Sequence, residues 1–349
     1  PAEAAQTPVL NQADRIPMMA APAAPAAHAA PAAPAAAAVP AAAVAAAAPA
    51  PRIARWLPTG TGVWLHDWRK SENGDAREVV TQAQRRGLSH LYVQTGSTGK
   101  GWIGEEVLSQ LMPAVVGTGL SVIAWDFPKL ADPEGDARRM ALAATWSRPG
   151  AARVSAVAPD IETAAEGTRV SGEAVRRYYA ALRAALPAAI PILATVPWPS
   201  EKRIGKYPYA ETAPLADAFV PMAYWYNRSP KVVTDTSMNW LQQFGKPIMP
   251  VGQGYDGRID SPSLPADPDP AGSVQAFVNA ARAGGAQSIS LWSWQTMGPQ
   301  QWDVLGRSGA AFAPRAAAPA PVPVAEPEPS LVDQLLGILG RSGASRGGS

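Results

Sequence analysis

The sequence predicts an α/β fold, a single (β/α)8 barrel over residues 53–312. Three observations carry that expectation. Eight short apolar runs alternate with amphipathic stretches, the pattern of repeated strand–helix units. The segment is roughly 260 residues long, close to the span of one such barrel. The first run leads into His66-Asp67-Trp68, not into a glycine-rich phosphate loop, which counts against a doubly wound open sheet.

The elements follow in order. Residues 62–66 read as the first strand, and Asp75 caps a helix that stops near Gly87. Residues 89–94 form the second strand, with a helix between Gly104 and Gly117. The third strand, 120–125, precedes a helix from Glu134 to Trp146, and 153–159 is the fourth strand. Residues 171–186 make the plainest helix, opened by Ser171 and stopped by Pro187. Strands at 191–196, 218–224, 247–252 and 286–292 complete the set. Helices at 210–216, 237–244 and 272–283 separate them, the last ended by Gly284-Gly285.

The ends differ in kind. Residues 1–52 are mostly Ala and Pro, and 313–329 repeat that composition. Proline fixes φ and removes donors, so both read as extended spacer. Residues 330–341 carry a short amphipathic pattern, expected to contact the barrel or a partner, and 342–349 read as a flexible tail. The first residue is Pro1. A removed signal peptide ahead of an Ala/Pro spacer is the expectation, for a secreted or envelope-associated bacterial protein.

Composition narrows the chemistry. The 30 basic and 28 acidic residues leave a net charge of +2, with no Lys/Arg run to suggest nucleic acid. No cysteine is present, so disulfides, thiolate metal sites and a cysteine nucleophile are excluded. No long proline-free apolar run suggests a membrane span.

Chemistry in such a barrel sits at the C-terminal strand ends. Polar and aromatic residues gather there, including half of the 12 tryptophans. The candidate substrate contacts are Gln94, Trp125, Trp198, Tyr224, Trp225, Gln253, Tyr255, Trp292, Trp294 and Gln295. Flat aromatic rings beside amides and carboxylates suit the C–H faces and hydroxyls of a sugar. Asp160 and Glu162 end the fourth strand two residues apart and so share a face. Repulsion between them favours a proton on one. A protonated Glu162 would be the general acid and Asp160 its assisting carboxylate. Asp67 and Asp126 stand in reserve for the second role. The bland alternatives are that Asp160 caps a loop, Glu162 pairs with Arg169, and the aromatic residues pack the core. No metal or cofactor is expected: His66 and His90 fall at opposite strand ends. No G-x-S-x-G supports a serine nucleophile.

The chain resembles glycoside hydrolase barrels of family 18, the chitinase type, and family 25, the lysozyme type. Asp160-Ile161-Glu162 resembles the D-x-E that closes the family 18 signature. Met222-Ala223-Tyr224 resembles its Met-x-Tyr element, and Leu291-Trp292-Ser293-Trp294 its last strand. Family 25 also carries a D-x-E, and Asp67 is the counterpart of its first-strand Asp. Ser155, Ala158 and Trp225 stand where family 18 has further acids. The resemblance implies glycosidic-bond hydrolysis in a polysaccharide, including one of the bacterial cell wall. The competing reading is a non-catalytic carbohydrate-binding or scaffold protein on a degraded hydrolase barrel. A metal-dependent hydrolase or deacetylase is a minor third.

Overall fold

Helix starts are set by short polar side chains. The Asp75 carboxylate accepts from the N–H groups of Arg77 and Glu78 at the head of α1, Ala76–Arg85. Asp132 and Asp269 cap α3, Pro133–Thr145, and α7, Pro270–Ala283, each just before a proline. Ser171 caps α4, Gly172–Ala185, which buries Val175, Tyr178, Tyr179 and Leu182 along one face. The remaining helices are α2, Gly104–Ala114; α5, Tyr209–Thr212; α6, Pro230–Leu241; and α8, Pro299–Ser308.

A computed structural model describes residues 56–313. Within it eight parallel strands follow in chain order: β1 Thr61–Leu65, β2 His90–Ser97, β3 Ser121–Phe127, β4 Ala156–Pro159, β5 Leu193–Pro197, β6 Ala218–Ala223, β7 Val251–Gln253 and β8 Ile289–Trp292. β1 pairs with both β2 and β8. Single bridges, Val157 to Ile192 and Asp160 to Thr195, bring β4 against β5 and close the ring. The expected (β/α)8 barrel is the observed fold. The spacer, the second linker, the 330–341 helix and the tail lie outside the described residues.

Three departures from expectation bear on the architecture. α6 begins at Pro230, seven residues before the expected start, because Pro230 presets φ and Val233, Ser237 and Met238 form a buried face despite polar neighbours. β7 is only three residues long, and Ile248 contributes a single bridge to Phe219. α8, which follows β8 and buries Trp302, Val304 and Leu305, is not among the expected helices. Among the described residues, no helix is long and apolar enough to cross a membrane.

Alternation splits the core into two layers. Val63, Leu65, Val157, Ile161 and Ala223 face the helices in one apolar cluster. Trp64, Tyr92, Trp125, Ala156, Ala158, Ala218 and Val220 fill the barrel interior in another. The rings of Trp64 and Tyr92 stack at 4.1 Å, and small alanines on β4 and β6 complement them. At the N-terminal end His90 is 1% exposed, with Nδ1 2.9 Å from Ser89 Oγ. A Cβ on Gly62 would lie 2.2 Å from His90 Nε2, so glycine is required there.

Burial pushes the His90 imidazole down to about 3. The unfolded chain therefore binds a proton that the fold excludes, and stability falls as pH drops from 6.5 toward 3. At pH 5 the loss attributable to His90 should be about 2 kcal/mol relative to pH 7. Urea unfolding at both pH values, for wild type and His90→Gln, measures it. Equal pH dependence in the two proteins would contradict the assignment.

Candidate active site

The inward parity of β4 runs through Ala156 and Ala158 to Asp160 and Glu162. Ile161 between the two acids is fully buried on the outer side and anchors them. The backbone is held on three sides. The Asp160 N–H donates to the Asp126 carbonyl at 2.9 Å, and the Ile161 N–H to the Thr195 carbonyl at 3.3 Å. The Tyr207 hydroxyl donates to the Ile161 carbonyl at 2.7 Å. Sequence and packing thus aim both carboxylates into one cavity of about 90 Å³ at the barrel mouth.

Four of the candidate substrate contacts, Trp198, Tyr224, Tyr255 and Trp292, line that cavity. Glu166, Pro197, Arg203, Met222, Tyr226 and Asp260 complete it. Asp260 arrives from the loop after β7, beyond the reach of a strand-end rule. Its Oδ2 accepts from the hydroxyls of Tyr255 at 2.7 Å and Tyr226 at 3.1 Å. Glu166 is signalled by Thr163-x-x-Glu166, a capping box in which its carboxylate accepts from the Thr163 N–H at 3.1 Å.

Both acids of the motif are displaced from ordinary carboxylate behaviour. Burial pushes Asp160 up, and the charges of Glu166 and Asp126 add to it. Its Oδ1 has no hydrogen-bond partner within the protein, and the residue is 7% exposed. Glu162 is pushed well up by burial first and by Asp160 and Glu166 next, against the pull of Arg203 and Lys129. Burial and then the charges of Asp160 and Glu162 raise Tyr224. A glutamic acid pushed well above its ordinary range in this way is suited to general acid chemistry.

Other predicted site residues lie elsewhere, and parity explains two of them, Asp126 and Trp225. Asp126 faces outward, is 1% exposed, and receives a fork of two hydrogen bonds from Arg139, at 2.6 and 2.8 Å. A Cβ on Gly96 would come 2.2 Å from Asp126 Oδ2, so this seat needs that glycine. Trp225 also faces outward, its ring 5.9 Å from that of Phe277 on α7. Trp125 is inward but buried below the cavity, where its Nε1 donates to the Leu65 carbonyl at 3.3 Å. Trp294 packs on Trp302 and donates to Glu72.

Gln253 braces two loops, accepting from the Tyr226 N–H at 2.7 Å and donating to the Tyr255 carbonyl at 3.0 Å. Gln295 donates to the Asp67 carbonyl and to Ser71 Oγ. Asp67 caps a turn, pairs with Lys70 at 3.2 Å and, with Gln94, lines a separate pocket. Arg169 is exposed, and its backbone N–H donates to the Lys129 carbonyl. Among the described residues no group of three or more His, Asp or Glu is arranged to hold a metal ion.

No protein-family model matches the chain, and no curated protein sequence matches it. Solved structures do share its fold. The family 99 endo-α-mannosidase from Bacteroides thetaiotaomicron has a TM-score of 0.54 at 14% identity, over 73% of this chain and 97% of its own. A chitinase from Chromobacterium violaceum has a TM-score of 0.52 at 13% identity, covering 74% and 100%. An endo-β-1,4-mannanase from Thermotoga petrophila has a TM-score of 0.51 at 10% identity, covering 73% and 77%. All three are glycoside hydrolases on TIM barrels, and at these identities the likeness is one of fold.

The Asp126–Arg139 pair is structural in this geometry. Arg139→Met strands a buried carboxylate and should cost about 3–5 kcal/mol of stability. Denaturant unfolding reads this directly. A loss below about 1 kcal/mol would mean the pair is not what holds Asp126.

Proposed function

We propose that the protein is a glycoside hydrolase acting on a polysaccharide, with Glu162 as general acid and Asp160 as its assisting carboxylate. The observation that carries this reading is the joint placement of Asp160 and Glu162 in one aromatic-lined cavity at the C-terminal mouth of the barrel. The fold relatives named above, a mannosidase, a chitinase and a mannanase, agree with it in reaction class.

Glu162 holds its proton because burial and the neighbouring acids disfavour its anion. It delivers that proton to the glycosidic oxygen as the bond to the leaving sugar breaks. Asp160 keeps the Glu162 proton in place by repulsion and offers its free Oδ1 to a substrate hydroxyl or amide. The second carboxylate role passes from Asp67 and Asp126 to Asp260, which lines the same cavity and is oriented by two tyrosine hydroxyls. Secretion and action on a cell-wall polymer belong to the same proposal, resting on the Ala/Pro spacer of residues 1–52.

Turnover on a polysaccharide panel tests the assignment. Glu162→Gln should lower kcat by a factor of about 10²–10⁴ while the fold is retained. Equal binding without turnover in both proteins favours the non-catalytic carbohydrate-binding reading. The pH profile carries a second test. Activity should fall as pH rises through the elevated Glu162 value. Asp160→Asn removes a repelling charge, so that alkaline limb should move to lower pH. A limb that stays in place, or moves up, is incompatible with Glu162 as the acid held protonated by Asp160.

A further inference from the structure

A second pocket opens on the barrel mouth beside β1 and β2, with a volume of about 320 Å³. His66, Gln94, Lys100 and Ile103 are among its walls. It differs from the acid cavity in two ways, and it has a buried unpartnered acceptor of its own. It is wider, within the roughly 300–1,000 Å³ range of small-molecule sites. Its wall charges balance in number, Arg69 and Lys100 against Asp67 and Glu106, with Arg69 meeting Glu106 at 2.8 Å. At its base Gln94, 7% exposed, has a carboxamide oxygen with no hydrogen-bond partner in the protein.

A buried acceptor without a donor is costly to keep, so it points to a ligand that donates. A charge-balanced pocket disfavours an anion or a cation as that ligand and suits a neutral polyhydroxy or acetamido group. The two pockets adjoin. Trp292 walls the acid cavity and His66 walls the second pocket, and their rings are 5.4 Å apart. The acid cavity, at about 90 Å³, is narrow, so binding energy for an extended substrate must come largely from outside it.

We infer that the second pocket is a sugar subsite, so that the protein binds a neutral glycan chain lying across Trp292 and His66. One sugar unit sits at the acid cavity, and a further unit donates a hydroxyl or amide N–H to Gln94 Oε1. This rests on the glycoside hydrolase reading for the identity of the first cavity, but the second subsite has its own observable.

The test is equilibrium binding, which needs no turnover. Oligomers of two to six units from β-1,4-glucan, β-1,4-mannan and chitin are titrated calorimetrically into Glu162→Gln protein. Affinity for one series should climb with length, and Gln94→Leu in the same background should remove tenfold or more of that increment. Because Gln94 Oε1 is unpartnered, Gln94→Leu should melt no lower than its parent. Lys100→Trp, on the exposed rim, should obstruct the pocket and give the same loss without touching the core.

Length-dependent binding that neither variant alters would overturn the subsite, as would no binding across the panel. Wild-type turnover combined with insensitivity to both variants would sink the subsite and leave the hydrolase reading standing. Length-dependent binding lost in both variants, with no wild-type turnover, would do the reverse.

Discussion

Two-residue alternation on a closed parallel barrel is the constraint on which the site depends. Each strand is buried on both faces, so every residue commits either to the interior or to the layer beneath the helices. On β4 that commitment places Ala156, Ala158, Asp160 and Glu162 on one side and Val157 and Ile161 on the other. The apolar outward residues hold the strand in register. The acids are then carried into the mouth by a backbone that has no second way to sit. A one-residue slip would exchange Ile161 with its carboxylate neighbours, at the cost of burying unpaired charge against the helices.

Electrostatics follow from that geometry. The acid cavity gathers Asp160, Glu162, Glu166 and Asp260 against Arg203, and burial adds to their mutual repulsion. Asp126, one residue out of phase with the lumen, meets Arg139 instead and takes no part in the cavity. Similar acids at similar strand ends thus have opposite fates. Asp160 and Glu162 are pushed up by burial and by neighbouring carboxylates inside the cavity, whereas Asp126 is buried behind the strand with Arg139 as its partner.

Much of this was legible in the sequence. The eight runs, the caps at Asp75 and Ser171 and the D-x-E at the end of the fourth strand led to the barrel and its mouth. Strand-end position alone could not separate Tyr224 from Trp225 or Trp125 from Asp126, since adjacent residues there point to opposite layers. Applying the period of two to each strand end makes that separation for Asp126 and Trp225. Asp260 was beyond any such rule. It lies seven residues past the end of β7, in a loop whose path is fixed by tertiary hydrogen bonds to Tyr226 and Tyr255. The early start of α6 was hidden because its buried face uses Thr234 and Ser237, side chains that bond back to their own helix.

The latch formed by Tyr226, Tyr255 and Asp260 has a bearing on how the mouth responds to a guest. The two tyrosine hydroxyls lie 3.1 Å apart and share one carboxylate oxygen, and Gln253 ties the same two loops through their backbones. The loops after β6 and β7 therefore form one cross-braced wall. The conformational entropy of that wall is lost when the chain folds, not when a ligand arrives. On the opposite rim the exposed turn at Lys100 is tied down differently: Gly101 and Trp102 pair back on Ser97 and Gly96, and the Lys100 N–H donates to Ser97 Oγ at 2.9 Å. The mouth is thereby braced on both sides before any guest arrives, by side-chain hydrogen bonds between two loops on one rim and by a backbone-paired hairpin on the other.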